Sequence, residues 1–345
     1  MDEDAAVLTG YFRERHSAGA AVVGGAPMDR WRRRQVAAGF LLRGIEGYGP
    51  GRSQAEDPPV TAVAVDTRAR VGALLDEEAG LAQARLITLE RARLLSGEIE
   101  PLRLGESATE ATRLTIYCWH ADRVFQVPAF EAACELLYRR GIAGAAVLSG
   151  ADGIAGGPRQ RAPFPRHGDA PLMIVAVSGG QRIGMVLPEL GGLFRHPLMT
   201  VATVRPCLRD GQFINRPETL PGEDAAAAPA GMASRVKLSV YTSEAARHDG
   251  QPLHRAIVRR LRSSGISGAT SVRGIWGFHG NHAPHGGHSP RHGHHVPVIT
   301  AVVDTRERIA AAFDVIGTFG PGLSLVTAEA VLASELAAVP LGQGS

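Results

Sequence analysis

The histidines near the C-terminal end are the residues whose type and spacing point most directly to chemistry. Residues 279–295 hold seven of the 13 histidines in the chain, namely His279, His282, His285, His288, His292, His294 and His295. Imidazole nitrogens bind Zn²⁺, Ni²⁺ and Cu²⁺ well. The first four recur at every third residue, so an extended segment would place them roughly 9 Å apart. Several of them could then share one ion only if the segment folds back on itself.

The sequence allows three interpretations of this His-rich loop. It predicts a Ni²⁺ or Zn²⁺ site if the chain reverses direction at its glycines, and the protein would then buffer or sense a metal. It predicts a solvated loop if the chain does not reverse. It predicts a partner-binding loop if protonation of the imidazoles changes what the loop contacts.

A second candidate site combines an arginine with two glycines that lie three residues apart. The motif occurs as Arg43, Gly44 and Gly47 and again as Arg273, Gly274 and Gly277. Glycine allows another group to approach the backbone closely, so the amides could face a phosphate that pairs with the arginine. A third glycine pair, Gly150 with Gly153, follows Ser149 instead of an arginine. Three glycine pairs with two arginines favour, as the alternative, a turn that ends a strand.

The acidic residues do not form a catalytic set. Glu14 and Glu244 each follow a predicted strand and could reach a ligand, although a solvated or capping carboxylate is the more common role. The pairs Asp66-Thr67 and Asp304-Thr305 precede predicted helices, where side-chain oxygens cap free amides. The chain contains no G-x-S-x-G, P-loop or H-E-x-x-H motif. We therefore expect a protein that binds a ligand and is not an enzyme.

Composition narrows the class of protein further. The net charge of +3 is too small to predict nucleic-acid binding, and an apolar fraction of 44% is enough for substantial cores. No apolar run reaches the roughly 20 residues that span a bilayer, and the acidic residues 2–4 are unlike a secretory signal. Three cysteines without metal-type spacing predict packed thiols in a reducing compartment. These observations predict a cytoplasmic protein.

The elements that must position these groups occur in three similar copies. Tyr11, Tyr117 and Tyr241 each end an apolar stretch, and a glycine follows each of them 33 residues later. The first and third copies lie 230 residues apart at both the tyrosine and the glycine. The segment 65–68 also returns as 303–306. Units of about a hundred residues can have separate cores, so the sequence predicts three tandem modules.

Periodicity predicts a ferredoxin-like β-α-β-β-α-β order in each module, which is an α+β fold. In module three, residues 236–241 alternate as a half-buried strand does, and apolar residues between 253 and 261 mark one face of a helix. Module two follows the same course. In module one the first helix should be degraded, because Gly24, Gly25 and Pro27 disfavour a helix interior.

These patterns divide the chain into modules and connections. The predicted parts are module one at 1–95, a linker at 96–112, module two at 113–209, a linker at 210–234, module three at 235–335 with the His-rich loop at 279–295, and a tail at 336–345. We expect the second linker to be flexible, because it contains Pro217, Pro221 and an alanine run.

The repeated motifs resemble those of the domain of unknown function 190 family, also called UPF0166. The matching features are a Tyr-x-x-Glu start, an Arg-Gly-Ile-x-Gly-aromatic segment and a segment that begins Pro-Val and ends Val-Asp-Thr. They occur at residues 11–14, 43–48 and 59–67 of module one and at residues 241–244, 273–278 and 297–305 of module three. Module two departs from the pattern at His120, Ser149 and Ser178-Gly179, so the family's residues are only partly present there.

This family is similar to the PII signalling proteins, whose ferredoxin-like subunits form trimers, bind nucleotides in clefts between subunits and contact partners through a long loop. The resemblance implies that the three modules close a pseudo-threefold ring within one chain, where covalent linkage raises their effective concentration. It also implies a small anionic ligand such as a nucleotide at the inter-module clefts, with the arginines, glycines and glutamates named above as contacts. A further alternative is a non-catalytic adaptor whose protein partner is a membrane ion transporter.

Overall fold

Three similar modules build the molecule. The computed structural model describes residues 2–13, 25–49, 59–76, 81, 84–105, 107, 109–155, 170–223, 228–280, 282–286 and 295–335. Module one contains β1 (Asp2–Arg13), α1 (Gly25–Arg33), β2 (Ala38–Arg43), β3 (Glu46–Tyr48), β4 (Pro59–Thr67), α2 (Arg68–Asp76) and β5 (Leu86–Ser96). Module two contains β6 (Ala111–Trp119), β7 (Arg123–Val124), β8 (Val127–Pro128), α3 (Ala129–Arg139), β9 (Gly144–Ser149), β10 (Asp152–Ala155), β11 (Pro171–Ser178), α4 (Gly180–Gly191), β12 (Leu198–Arg209) and β13 (Gln212–Phe213). Module three contains β14 (Ala233–Ser243), β15 (Arg247–His248), β16 (Gln251–Pro252), α5 (Leu253–Ser263), β17 (Ala269–Arg273), β18 (Trp276–His279), β19 (His285–Gly286), β20 (Pro297–Asp304), α6 (Arg306–Gly317) and β21 (Leu325–Glu335).

Each module forms a four-stranded antiparallel sheet of the ferredoxin type. The strand orders are β5-β1-β4-β2 in module one, β12-β6-β11-β9 in module two and β21-β14-β20-β17 in module three. Two helices cover one face of each sheet. Within the described ranges, no helix combines the length and the apolar character needed to cross a membrane. The predicted fold of three tandem ferredoxin-like modules is confirmed.

The first helix of module one is present, which corrects the expectation that it would be degraded. α1 has nine residues, against 11 in α3 and in α5. Pro27 lies in the first turn, where backbone amides have no acceptor within the helix, so its missing N–H breaks no helical bond. Met28 and Trp31 lie three residues apart on one face and are buried against the sheet.

Short strands cross from each module to its neighbour and join the modules in a ring. β3 of module one pairs with β17 of module three, β18 of module three pairs with β9 of module two, and β10 of module two pairs with β2 of module one. The last strands repeat this cycle, because β5 pairs with β12, β12 with β21 and β21 with β5. We call the pairings β3–β17, β18–β9 and β10–β2 the joints. Each joint follows the same direction around the ring, so the three modules are related by a pseudo-threefold axis.

The central strands are buried on both faces, because each sheet has helices outside and the other two sheets inside. In β1, Ala6 and Leu8 pack against the helices of module one, whereas Ala5 and Val7 face a core that all three modules share. This alternation follows from the two-residue period of a strand. Apolar residues on both faces explain why these strands have nearly continuous apolar sequences.

The second glycine of each repeated pair lies at a joint between modules. A Cβ atom on Gly277 would lie 2.2 Å from the carbonyl oxygen of Ala145, and one on Gly47 would lie 2.6 Å from that of Ala269. Gly153 has the same close approach to the backbone of module one. Two backbones meet at these points with no room for a side chain, so only glycine fits without movement.

The aspartate and threonine before the second helix have separate roles. Thr305 caps α6 by accepting a hydrogen bond from the amide of Arg308, as capping predicts. Asp304 is buried and instead accepts from the amides of Thr305 and Ser267, at 2.8 and 3.0 Å. Asp66 has the corresponding role in module one. In each of these two modules, the aspartate therefore links the end of the third strand of the four-stranded sheet to the residues just before its second strand.

The first linker lies along helix α4. We call residues 97–105 the strap. A Cβ atom on Gly184 of α4 would lie 2.0 Å from the carbonyl oxygen of Leu102, so the helix admits the strap only because its contact face has glycines there. Ile99 packs beside Gly191 on the same helix. The strap therefore connects module one to module two as a packed segment.

The described part of the second linker also packs against folded elements, and its expected flexibility stays a prediction. The Arg306 side chain donates hydrogen bonds to the carbonyl oxygens of Glu218, at 2.7 Å, and Leu220. The Asn215 side chain donates to the carbonyl oxygen of Pro206 at 2.7 Å. Pro217 and Pro221, which favoured a flexible linker, therefore lie in or next to a segment that forms hydrogen bonds with folded elements. Residues 224–227 and the tail 336–345 lie outside the described residues.

Candidate functional site

Four charged side chains from all three modules meet at the ring axis, and we call them the axial charge cluster. Glu90 accepts from Arg113 at 2.9 Å and from Lys237 at 2.8 Å. Glu329 contacts Arg113 and lies 3.4 Å from Lys237. The four side chains are only 2–12% exposed. Two buried cations are therefore matched by two buried carboxylates.

The charges of this cluster stabilise each other's ionised forms. Burial by itself would raise the pKa of Glu90, but Lys237 and Arg113 outweigh burial and hold that pKa below its ordinary value. Burial by itself would lower the pKa of Lys237, yet Glu329 and Glu90 raise it above its ordinary value. Glu90, Lys237 and Arg113 are consequently charged at neutral pH.

The axial charge cluster breaks the threefold repeat. Arg113 and Lys237 lie four residues before the repeated tyrosine, where module one has Val7. Glu90 and Glu329 lie two residues after a repeated threonine of the last strand, where module two has Ala202. Two of the three repeated positions are thus cationic and two of the other three are acidic, so the formal charges balance. The cluster was not predicted from the sequence, although a single lysine within an apolar strand indicates a buried charge.

A small cavity of about 120 Å³ lies on the axis beside the charges. The three repeated tyrosines line it, and the hydroxyl of Tyr117 lies 2.9 Å from that of Thr200. Burial, partly offset by hydrogen bonding to Thr200, raises the pKa of Tyr117 to about 12. The hydroxyl of Thr61 also faces this region, and it is buried without a hydrogen-bond partner among the described residues.

Replacing Thr61 with valine is expected to raise the free energy of unfolding by about 1 kcal/mol, because the change removes a buried unpaired hydroxyl at nearly constant volume. Urea titration followed by circular dichroism measures this. The matched control is Thr200→Val, which removes a hydroxyl that Tyr117 uses and should lower stability by a similar amount. Destabilisation by Thr61→Val would show that the hydroxyl has a partner.

A larger cleft of about 760 Å³ opens between modules one and two, and we call it the module 1–2 cleft. It lies where the strap leaves β5 and faces the connection from α4 to β12. Its apolar wall includes Ile99, Phe194 and Leu198, and its charged or titratable groups are Glu98, Arg195 and His196. Arg195 is exposed and forms no ion pair with any residue that the structure describes.

The corresponding position between modules two and three differs. There the hairpin that continues β12 lies against α6, and the ring of Phe213, which is itself 59% exposed, packs edge-to-face on Phe313 with centres 5.4 Å apart. The amide of Gly211 donates to the carbonyl oxygen of Leu323 at 3.2 Å. The corresponding segments between modules three and one, residues 77–80 and 336 onward, lie outside the described residues. The strap carries no aromatic side chain at the module 1–2 cleft.

The structure pairs two of the predicted ligand contacts with each other. Arg273 donates two hydrogen bonds to Glu244, at 2.7 and 2.8 Å, across the start of β20. Arg43 is exposed at the end of β2, and its expected counterpart Glu14 lies outside the described residues. This bidentate pair occupies the guanidinium edge that would otherwise receive a phosphate.

The predicted glycines contribute backbone bonds to the fold. The amide of Gly44 donates to the carbonyl oxygen of Pro59 at 2.7 Å, and that of Gly274 donates to Pro297 at 2.8 Å. Gly47 and Gly277 lie in the joints described above. None of these residues lines the module 1–2 cleft. Contact between them and a ligand stays a prediction, and the structure accounts for the glycines as joints.

Four histidines of the His-rich loop lie close together beside the joint between modules three and two. The ring centres of His279 and His282 are 5.2 Å apart, and those of His282 and His285 each lie 6.2 Å from that of His295. His288, His292 and His294 lie outside the described residues. In this conformation, no three His, Cys, Asp or Glu side chains in the described part of the chain are arranged to hold a metal ion.

The three cysteines are unsuited to nucleophilic chemistry in this environment. Cys118, Cys134 and Cys207 are all buried and unbridged, as packing roles predict. Burial raises the pKa of the Cys207 thiol to about 12 and also raises that of Cys134. Thiolate, the reactive form, is therefore scarce at neutral pH.

A comparison with protein-family models agrees with the repeated architecture. The model of DUF190, described as Uncharacterized ACR, matches residues 5–94, 111–206 and 235–333. Each match begins in the first strand of a module and ends in its last strand. The chain therefore belongs to the DUF190 family and carries its domain three times in tandem.

Proposed function

We propose that this chain is a non-catalytic regulatory protein that binds a small anionic ligand, such as a nucleotide, in the module 1–2 cleft. The observation that carries the proposal is that this cleft places the exposed Arg195 beside an apolar wall between two modules. A volume of about 760 Å³ falls within the usual range for small-molecule sites.

The chemistry of the cleft supports an anion that carries an apolar group. Arg195 offers a planar guanidinium fork, the geometry that matches phosphate or carboxylate. His196 follows it in the chain, and its imidazole can donate a hydrogen bond to the same anion. Phe194 and Leu198 provide an apolar wall for a ring such as a base. Glu98 on the strap can accept a hydrogen bond from a hydroxyl or amino group of the same ligand.

The strap offers a route from ligand to partner. Residues 97–99 line the cleft, and the same segment continues along α4, where glycines receive it. A ligand that contacts residues 97–99 would stabilise the docked strap by its differential affinity for that state. A partner that binds the strap or the surface beneath it would then respond to the ligand. A membrane ion transporter as that partner stays an expectation from the family resemblance.

Isothermal calorimetry of the full chain against ATP, ADP, AMP and cyclic nucleotides tests this function. We expect at least one of these to bind, and Arg195→Gln should weaken that binding about tenfold or more, because a charge-assisted hydrogen bond contributes roughly 1.5–3 kcal/mol. The matched control is Arg260→Gln, which removes an exposed arginine on α5 of module three. Silence across the panel at millimolar ligand, or equal loss in both variants, would refute the proposal.

A further inference from the structure

The geometry points to a divalent transition-metal site for Zn²⁺ or Ni²⁺ formed by His279, His282, His285 and His295, beside the joint between modules three and two. This inference is independent of the module 1–2 cleft. It selects four of the seven histidines in the His-rich loop and leaves out His288, His292 and His294.

The fold brings these four imidazoles together from separate parts of the loop. His279 ends β18, His285 begins β19, and His295 lies just before β20. β18 and β19 pair as a hairpin, so the chain reverses between His279 and His285. This reversal removes the objection that an extended loop holds its histidines too far apart for one ion.

The ring spacings are close to those of a shared ion. Zn–N bonds of about 2.0–2.1 Å place the ring centres of two imidazole ligands on the order of 5–6 Å apart. The observed neighbouring separations are 5.2 Å for His279 with His282 and 6.2 Å for His295 with His282 and with His285. The nitrogens do not yet converge on one point. His282 is exposed, so its ring has room to turn toward an ion.

The two more enclosed members have nitrogens suited to metal binding. Nε2 of His279 is buried and has no hydrogen-bond partner in the described part of the chain. Nδ1 of His285 lies 2.8 Å from the carbonyl oxygen of Ala283, which can only accept a hydrogen. Nδ1 therefore carries a hydrogen, which makes Nε2 the nitrogen that would face a metal, the arrangement common in metal-ligating histidines.

A metal at this position would brace the joint. β18 carries His279 and also pairs with β9 of module two, where His279 lies opposite Gly144. An ion that holds His279, His285 and His295 fixes the β18–β19 hairpin against the start of β20. Metal binding to the folded chain alone would then add stability through mass action.

Competition with a chromophoric chelator tests this inference on the full chain, with ZnCl₂ and NiCl₂ as probes. We expect one ion per chain, and each of His279→Gln and His285→Gln should weaken its binding roughly tenfold or more. The triple variant His288→Gln, His292→Gln, His294→Gln should keep the affinity within about threefold, since a removed ligand costs far more than that. His248→Gln, in the β15–β16 hairpin, controls for the loss of an unrelated histidine.

Two further measurements keep the result interpretable. Thermal unfolding of each variant without metal shows whether the substitution itself affects folding. The absorption spectrum of the Co²⁺-loaded chain reports the number and type of ligands. Full affinity in both single variants, loss of binding in the triple variant, or several weak ions per chain would overturn the assignment.

Discussion

Replacing Glu90 with alanine is expected to lower the free energy of unfolding by about 3–5 kcal/mol, because it leaves two buried cations with one carboxylate between them. Arg113 and Lys237 lie on strands of modules two and three, so the loss weakens the contact between all three modules. Urea titration that monitors tryptophan fluorescence measures the effect. A change below about 1 kcal/mol would show that water reaches the axis and screens these charges.

A second substitution distinguishes lost charge balance from lost packing. Lys237→Val introduces the residue type that module one has at this position, Val7, just as Glu90→Ala introduces the type that module two has, Ala202. The double variant Glu90→Ala, Lys237→Val keeps Arg113 with Glu329 and is neutral overall. We expect it to be more stable than Glu90→Ala alone, since neutral replacement of a buried ion pair is often tolerated. A double variant that is less stable than either single variant would favour packing as the main role.

The cost of Glu90→Ala should also depend on pH. The pKa of Glu90 is lowered in the folded protein, so its stabilising contribution is complete above the unfolded value of about 4.3. That contribution is lost as the pH falls through the folded value. The difference in stability between the native chain and Glu90→Ala should therefore be constant at neutral pH and shrink below about pH 4.

The repeats made the overall architecture predictable. Constant offsets between tyrosines and glycines can arise only if three segments share one fold, and the strand and helix periods identify that fold. The function of the glycine pairs could not be decided from the sequence. A glycine allows either a phosphate or a neighbouring strand to approach the backbone closely. The joint at Gly277 was visible only once β18 was seen to pair with β9.

The members of the axial charge cluster from different modules could not be predicted together, because they are distant in sequence. Lys237 and Glu329 already face each other on paired strands of module three, but only ring closure brings Glu90 and Arg113 to them. The pairing of Arg273 with Glu244 was within reach of prediction, since β14 and β17 both flank β20 in a ferredoxin-like sheet. The packing of the two linkers could not be predicted. The composition of a linker indicates how flexible it is, but it does not show that α4 has glycines against which the strap packs.

The helix of module one shows the limit of intrinsic propensity. Gly25 and Pro27 would disrupt a helix interior, but they fall in the first turn of α1, where neither breaks an internal hydrogen bond. Burial of Met28 and Trp31 then outweighs a weak propensity. Position within an element therefore decided the effect of these residues.

Replacing Gly277 with alanine is expected to lower the free energy of unfolding by about 2–5 kcal/mol and to open the joint between modules three and two. The added Cβ would lie 2.2 Å from the carbonyl oxygen of Ala145, and neither backbone can move without breaking the pairing of β18 with β9. Gly277 also has a φ of +151°, which residues with a side chain rarely adopt. Steric overlap and backbone strain therefore add in the same direction.

Hydrogen exchange locates this effect as well as measuring it. Amides of β9 and β18 should exchange faster in Gly277→Ala, while those of the β3–β17 joint keep their protection, since each joint has its own pairs. The matched control is Gly72→Ala in α2, where an added Cβ meets open space and alanine favours the helix, so stability should rise slightly. If Gly277→Ala proved as harmless as the control, the modules would not be joined through β18. If protection fell equally at all three joints, the ring would open as one cooperative unit and not joint by joint.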